Sequence, residues 1–195
     1  MKRFALIFVI LGGLALAGAI GWRLYDRAPA EAPQVVGGPF ELVDQNGRKV
    51  DEGVLKGEWS TVFFGFTYCP DVCPMTLQAL TEARELLGPK GEDLRIVFIS
   101  VDPKRDTPGQ MKAYLEAQDL PPGTLGLTGT PEQVAQVAKA YRVYYGVAGD
   151  PDSDSYQVNH STAAYLMNPK GRYDRVLGYG MTPEQMAEQI EAAMS

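Results

Sequence analysis

Cys69, Cys73 and His160 are the residues of this chain whose types and spacing best suit soft-metal or redox chemistry. The 195-residue sequence holds two cysteines and one histidine. Both cysteines fall in one stretch, Thr67-Tyr68-Cys69-Pro70-Asp71-Val72-Cys73-Pro74, directly after a strand-like run. Four-residue spacing puts them on one side of a helical turn, where Cβ atoms approach to about 5–6 Å. A disulfide wants Cβ atoms at roughly 3.5–4.5 Å, so closing one needs local tightening. A metal tolerates the wider gap, because each thiolate makes its own bond of about 2.3 Å. A helix N-terminus lowers a thiol pKa and favours the thiolate, which serves redox chemistry and metal binding alike. Spacing therefore leaves three chemistries open: a structural disulfide, a redox pair and a metal site.

His160 stands far from the motif in sequence, and a lone histidine is more often a satisfied core or surface residue than a ligand. Two thiolates and an imidazole nevertheless suit copper in its reduced state, and the chain offers no fourth Cys or His for a structural zinc site. Asp71 either supplies an oxygen to oxidised, harder copper or caps the following helix. Met75 lies beside the motif and Met181, Met186 and Met194 lie in the last segment. Their thioethers could assist copper, although methionines at helical positions usually fill cores. Tyr68 is expected to shield the edge of the pocket. Asn159-His160-Ser161 matches the N-glycosylation pattern, but a glycan beside a ligand would block it, so the match is read as chance.

The elements that must position these residues follow from pattern. Gly38 to Asp44, then Asn46-Gly47 and Arg48 to Val50, carry the signal of a hairpin. Thr61 to Phe66 is a β-branched and aromatic run, read as a buried strand. Pro74 fits the first position of a helix on which Leu77, Leu80, Ala83, Leu86 and Leu87 recur at helical spacing up to Gly88. The cysteines thus sit where a central strand turns into a helix. Leu94 to Val101 is a second buried strand, and Thr107-Pro108 opens a helix through Gln118. Leu125 to Leu127 is a short strand, Thr130-Pro131 caps a helix to Tyr141, and Tyr144 to Val147 is extended. An acidic loop, Asp150 to Asp154, leads past His160 to a hairpin of Ser161–Met167 and Arg172–Leu177. Thr182-Pro183 starts a final helix to Met194. This order predicts an α/β thioredoxin-like sandwich with an added β-hairpin. No G-x-G-x-x-G, Walker loop or H-E-x-x-H occurs, so nucleotide-binding and zinc-protease functions have no support.

Ahead of this domain, residues 4–20 are apolar without interruption, long enough to cross a bilayer as a helix and longer than the usual cleaved signal. Trp22 and Tyr25 suit the membrane interface, while Ala17-Gly18-Ala19 would suit cleavage of a signal peptide, the alternative reading. We expect a membrane anchor over 1–25, a linker over 26–38 and a single domain over 39–195. The four basic and one acidic residues before Ala28 leave 14 Lys and Arg against 23 Asp and Glu beyond it, a net charge of −9. Such a balance argues against a nucleic-acid partner. Export would place the thiols in an oxidising compartment. The short leader points to a bacterial inner membrane, single-pass, with the domain on the periplasmic side.

Four blocks, in order, closely resemble the SCO/SenC family of copper chaperones: Phe64 to Pro74, Ile99 to Pro108, Tyr141 to Tyr145, and Val158 to Thr162. The resemblance runs from about Pro39 to the C-terminus. It implies a membrane-tethered thioredoxin-like protein that binds copper, as Cu(I) or Cu(II), through Cys69, Cys73 and His160. Family members deliver copper to the CuA centre of cytochrome c oxidase or reduce its cysteines, so the implied partners are the copper-site subunit of that oxidase and other copper chaperones. Asp102 falls on a family acid near the site, with capping of the turn before Pro103 as its alternative role. A thiol-disulfide oxidoreductase is the rival function, although redox motifs of this fold use C-x-x-C rather than C-x-x-x-C. A redox or copper sensor is the third class, because fold alone does not decide function.

Overall fold

Two continuous apolar runs make the centre of the sheet, because a strand covered on both faces needs no polar alternation. They are β3 (Trp59–Gly65) and β4 (Leu94–Ser100), which pair in parallel from Trp59↔Leu94 to Gly65↔Ser100. Val62, Phe63, Phe64, Val97, Phe98 and Ile99 on them are fully buried. Each such side chain contributes about 1.5–3 kcal/mol on leaving water. The structure, a computed structural model, describes residues 36–153 and 155–195. The anchor expected over 1–25 and the linker up to residue 35 lie outside the described residues. Among the described residues no helix is long and apolar enough to cross a membrane.

Around that centre the chain adds β1 (Glu41–Asp44), β2 (Lys49–Asp51), β5 (Leu125–Thr128), β8 (Ala164–Met167) and β9 (Tyr173–Leu177). The resulting seven-stranded sheet has the order β2-β1-β5-β4-β3-β8-β9. β3, β4 and β5 are parallel, while β1 and β8 run antiparallel to their inner neighbours. Among the described residues four α-helices complete the layers: α1 (Val72–Leu86), α2 (Pro108–Ala117), α3 (Pro131–Tyr141) and α4 (Pro183–Met194). Thr107, Thr130 and Thr182 each cap their helix by accepting a backbone N–H, with Pro at the first position, as expected from Thr-Pro. α1 packs on α4, α2 on β5 and α3 on β1. This is the thioredoxin-like α/β arrangement, built on β4-β3-β8-β9, with the β1–β2 hairpin added at the far edge beyond β5.

Three local readings change. α1 begins at Val72, so Pro74 lies within its first turn rather than at its first position; a proline fits there because first-turn N–H groups have no intrahelical partner. Leu86 keeps the helical spacing of its neighbours yet is exposed, whereas Leu77, Leu80 and Ala83 are fully buried. The largest difference lies between the acidic loop and β8. Residues read as a connection there form β7 (Gln157–His160), paired antiparallel with β6 (Tyr145–Ala148) as a separate two-stranded sheet. His160 is thus the last residue of a β-arm, opposite Tyr145.

Candidate metal centre

The cysteines sit at the C-terminal edge of the sheet, where β3 ends at Gly65 and the chain turns into α1. A Cβ on Gly65 would lie 2.6 Å from the Cys73 Sγ and 2.8 Å from the Phe98 ring. Only a bare backbone lets the first turn of α1 come this close to β3. Cys73 is fully buried and Cys69 half-buried, and both are free thiols. Asp71 occupies the N-cap position of α1, but its carboxylate accepts no bond from the first turn. The sulfur of Cys69 takes that role, accepting the Cys73 backbone N–H at 3.4 Å. The expected cap by Asp71 is therefore replaced by a thiol, and Asp71 stands exposed at the surface.

The β6–β7 arm carries His160 to the same place. Its Nε2 lies 3.5 Å from the Cys73 Sγ, across 87 residues of sequence. The other ring nitrogen, Nδ1, lies 2.9 Å from the Ser161 carbonyl oxygen. A carbonyl only accepts, so Nδ1 carries the proton and Nε2 presents its lone pair to the sulfurs. Phe63 and Phe66 meet the imidazole edge-on, with centroids at 6.2 and 5.9 Å, and fix its plane. One donor atom from each of Cys69, Cys73 and His160 lies within 4.8 Å of the others, and among the described residues no carboxylate joins the group. Two sulfurs and one nitrogen with no oxygen is a soft donor set, suited to copper in its reduced state rather than to magnesium or calcium.

The two thiols differ in acidity. The Cys69 thiol is pushed down to about 5, first by the hydrogen bond from Cys73, against burial, with help from the backbone N–H groups of Asp71 and Cys73. The Cys73 thiol is pushed up, first because it donates to Cys69 and then because it is buried. One half-buried thiolate thus faces one buried, protonated thiol.

Supporting groups come from the loop after β4, and the sequence pointed only partly to them. Asp106 is fully buried; it accepts from the Thr67 hydroxyl at 2.7 Å, from the Thr67 backbone N–H, and from Ser100 Oγ at 2.6 Å. It pins the segment entering Cys69 to the loop after β4, although burial holds its carboxyl above its ordinary value. Asp102, expected near the site, lies outside the donor group. Its carboxylate takes Arg105 Nε at 2.5 Å and the Tyr156 hydroxyl at 2.6 Å. Its backbone carbonyl, not its side chain, closes the turn before α2 by accepting from Arg105 and Asp106. Asp106 and Arg105 fall inside a block that marked the resemblance, but Tyr156 had no sequence signal. Tyr68 is 48% exposed, its ring under the Arg105 guanidinium at 4.7 Å. Met75 is exposed rather than core filler, while Met186 is buried as expected.

Comparison with known proteins agrees with this geometry. The SCO1/SenC family model matches residues 28–195. A SCO2-like protein of Rickettsia conorii is 38% identical over 193 residues, covering 93% of each chain. The structure of Bradyrhizobium japonicum ScoI with copper bound superposes with a TM-score of 0.72 at 41% identity, over 80% of this chain and 98% of that one. BsSco, described as having a disulfide switch and as a member of the Sco family of cytochrome c oxidase assembly proteins, superposes with a TM-score of 0.65 at 28% identity, over 85% of this chain and 95% of that one. With most of its length matched by the family model and its soft-donor trio assembled on the thioredoxin-like frame, this chain belongs to the SCO1/SenC family.

Proposed function

We propose that this protein is a membrane-tethered copper carrier, which binds the ion through Cys69, Cys73 and His160 and delivers it to the CuA site of cytochrome c oxidase. The observation that carries the reading is the gathering of three soft donors, from two distant segments, to within 4.8 Å. The copper-bound relative and the oxidase-assembly role of BsSco support it. Copper is cargo here. Three ligands leave one side of the ion open, so a thiolate of the acceptor can attack and share it before release. The Cys69 thiolate is ready to bind, whereas Cys73 must lose its proton as copper enters. The tether is the apolar segment of residues 4–20, with the domain outside a bacterial inner membrane.

The test is anaerobic titration of the 195-residue chain in detergent with Cu(I). Wild type is expected to hold one copper per chain, and His160→Ala to bind it more weakly. Loss of an outer-shell partner alone costs about 10–100-fold in metal affinity, so loss of a ligand costs no less. Equal affinity in the two proteins would overturn the carrier reading. A second reading rests on the acidity difference: a low-pKa thiolate beside a protonated partner is also the arrangement of a dithiol reductant. In that case Cys69 attacks a substrate disulfide, expelling one substrate sulfur as a thiol. Cys73 then resolves the mixed disulfide, releasing the second thiol and leaving Cys69–Cys73 oxidised. Rapid disulfide reduction by a protein indifferent to His160→Ala would favour it.

A further inference from the structure

Arg105 joins the two halves of the metal centre while being part of neither. Its guanidinium donates from Nε to Asp102 at 2.5 Å and from Nη1 to the Tyr156 backbone carbonyl at 3.0 Å. The same group stacks on the Tyr156 ring at 3.6 Å and covers the Tyr68 ring at 4.7 Å. Tyr68 immediately precedes Cys69, and Tyr156 immediately precedes β7, the strand that ends in His160. Tyr156 closes a ring of contacts by donating its hydroxyl to Asp102 at 2.6 Å. The Arg105 side chain is 11% exposed and that of Asp102 is 5% exposed. The charges therefore face each other with little water between them, where removing one partner is costly.

The arm needs such a fastening. Among the described residues β6 and β7 pair only with each other and have no place in the seven-stranded sheet. Tyr156 at 5% exposure and Val158 at 6% are the buried side chains that attach β7 and its approach to the body. An isolated two-stranded hairpin is at best marginally stable in water, so the position of His160 depends on what holds the arm at its base as well as on the Phe63 and Phe66 rings that meet the imidazole.

We infer that Arg105 is the positioning residue of the copper site: its bridge from Tyr68 through Asp102 to Tyr156 holds the β6–β7 arm against the dithiol turn and so makes His160 a ligand. The planar fork is specific to arginine, because it satisfies a carboxylate, a carbonyl and two aromatic faces together, which an ammonium cannot. The inference rests on the carrier reading above, and its first measurement does not require copper.

Three proteins suffice: wild type, Arg105→Leu, and Tyr156→Phe as a milder variant should the first fail to fold. In metal-free protein, backbone amides of Gln157–His160 are expected to exchange with deuterium faster in Arg105→Leu, and to a smaller degree in Tyr156→Phe, with the central strands β3 and β4 unchanged. With Cu(I), Arg105→Leu is expected to lose about 10–100-fold in affinity, the range for a residue that orients a ligand. In a His160→Ala background the same substitution should cost nothing further, since there is no ligand left to position. The nitrogen hyperfine coupling of the Cu(II) form should fade in Arg105→Leu. Unchanged arm exchange in a folded Arg105→Leu protein would overturn the inference, as would an affinity loss that persists in full without His160. If wild type and His160→Ala bind copper equally, the carrier reading fails, while the exchange measurement still decides whether Arg105 holds the arm.

Discussion

At the scale of single residues, the centre depends on one sulfur doing two tasks. Cys69 Sγ caps the first turn of α1 and is also a donor for metal. An acceptor at a helix N-terminus gains from being charged, so the cap itself promotes the thiolate. The prediction is kinetic. Alkylation of Cys69 by iodoacetamide should follow a pH profile with its midpoint at about 5, well below the ordinary thiol value of 9.0. Cys73→Ala removes the largest cause of that depression, so its midpoint should move upward. A wild-type profile centred near 9 would show that the hydrogen bonds seen at Cys69 do not stabilise its charge.

At the scale of elements, the constraint is the close approach of α1 to β3, and Gly65 is the residue that permits it. Gly65→Ala would place a methyl group 2.6 Å from Cys73 Sγ and 2.8 Å from Phe98, in fully buried surroundings. Overpacking of this kind costs about 1–3 kcal/mol, which urea unfolding would measure, and it should displace Cys73 and weaken copper binding. Gly178→Ala is the matched control, since nothing lies within 4 Å of the added group and its backbone is not left-handed. Equal stability of the two variants would contradict the packing described. These elements were largely legible in sequence: runs such as Leu94 to Val101 and the repeated Thr-Pro starts each signal through neighbours in the chain. The arm was not, because β7 has four residues with one buried side chain, too short a pattern to separate from a loop. The three ligands were legible by type, but their supports were not. Thr67 meets Asp106 across 39 residues and Arg105 meets the Tyr156 carbonyl across 51, separations that leave no local spacing to read.

At the scale of the whole molecule, the thiols link folding to pH. Between pH 5 and 9 the folded chain holds Cys69 ionised while the unfolded thiol, with its ordinary value of 9.0, still carries its proton. The unfolded state binds more protons, so stability rises with pH across this window and is lost as pH falls through about 5. Asp106 and Cys73, among the groups whose values burial raises, act in the opposite sense. Asp106, held above its ordinary 3.8 by burial, weakens the fold from the acid edge upward, and Cys73, held protonated, does so above pH 9. Substitution separates them: Cys69→Ser should flatten the rise between pH 5 and 9, while Asp106→Asn should leave that rise in place. Copper then changes the balance, because binding must expel the Cys73 proton at neutral pH but finds Cys69 already ionised. Apparent Cu(I) affinity should therefore fall about tenfold for each unit of pH lost between pH 8 and 7, the Cys73 proton alone competing, and more steeply toward acid as the other donors take up protons. Competition titrations from pH 8 to 4.5 check this slope. An affinity independent of pH would mean that copper is not held by both sulfurs, whereas a two-proton slope already at pH 7 would mean that Cys69 is an ordinary thiol and the cap does not charge it.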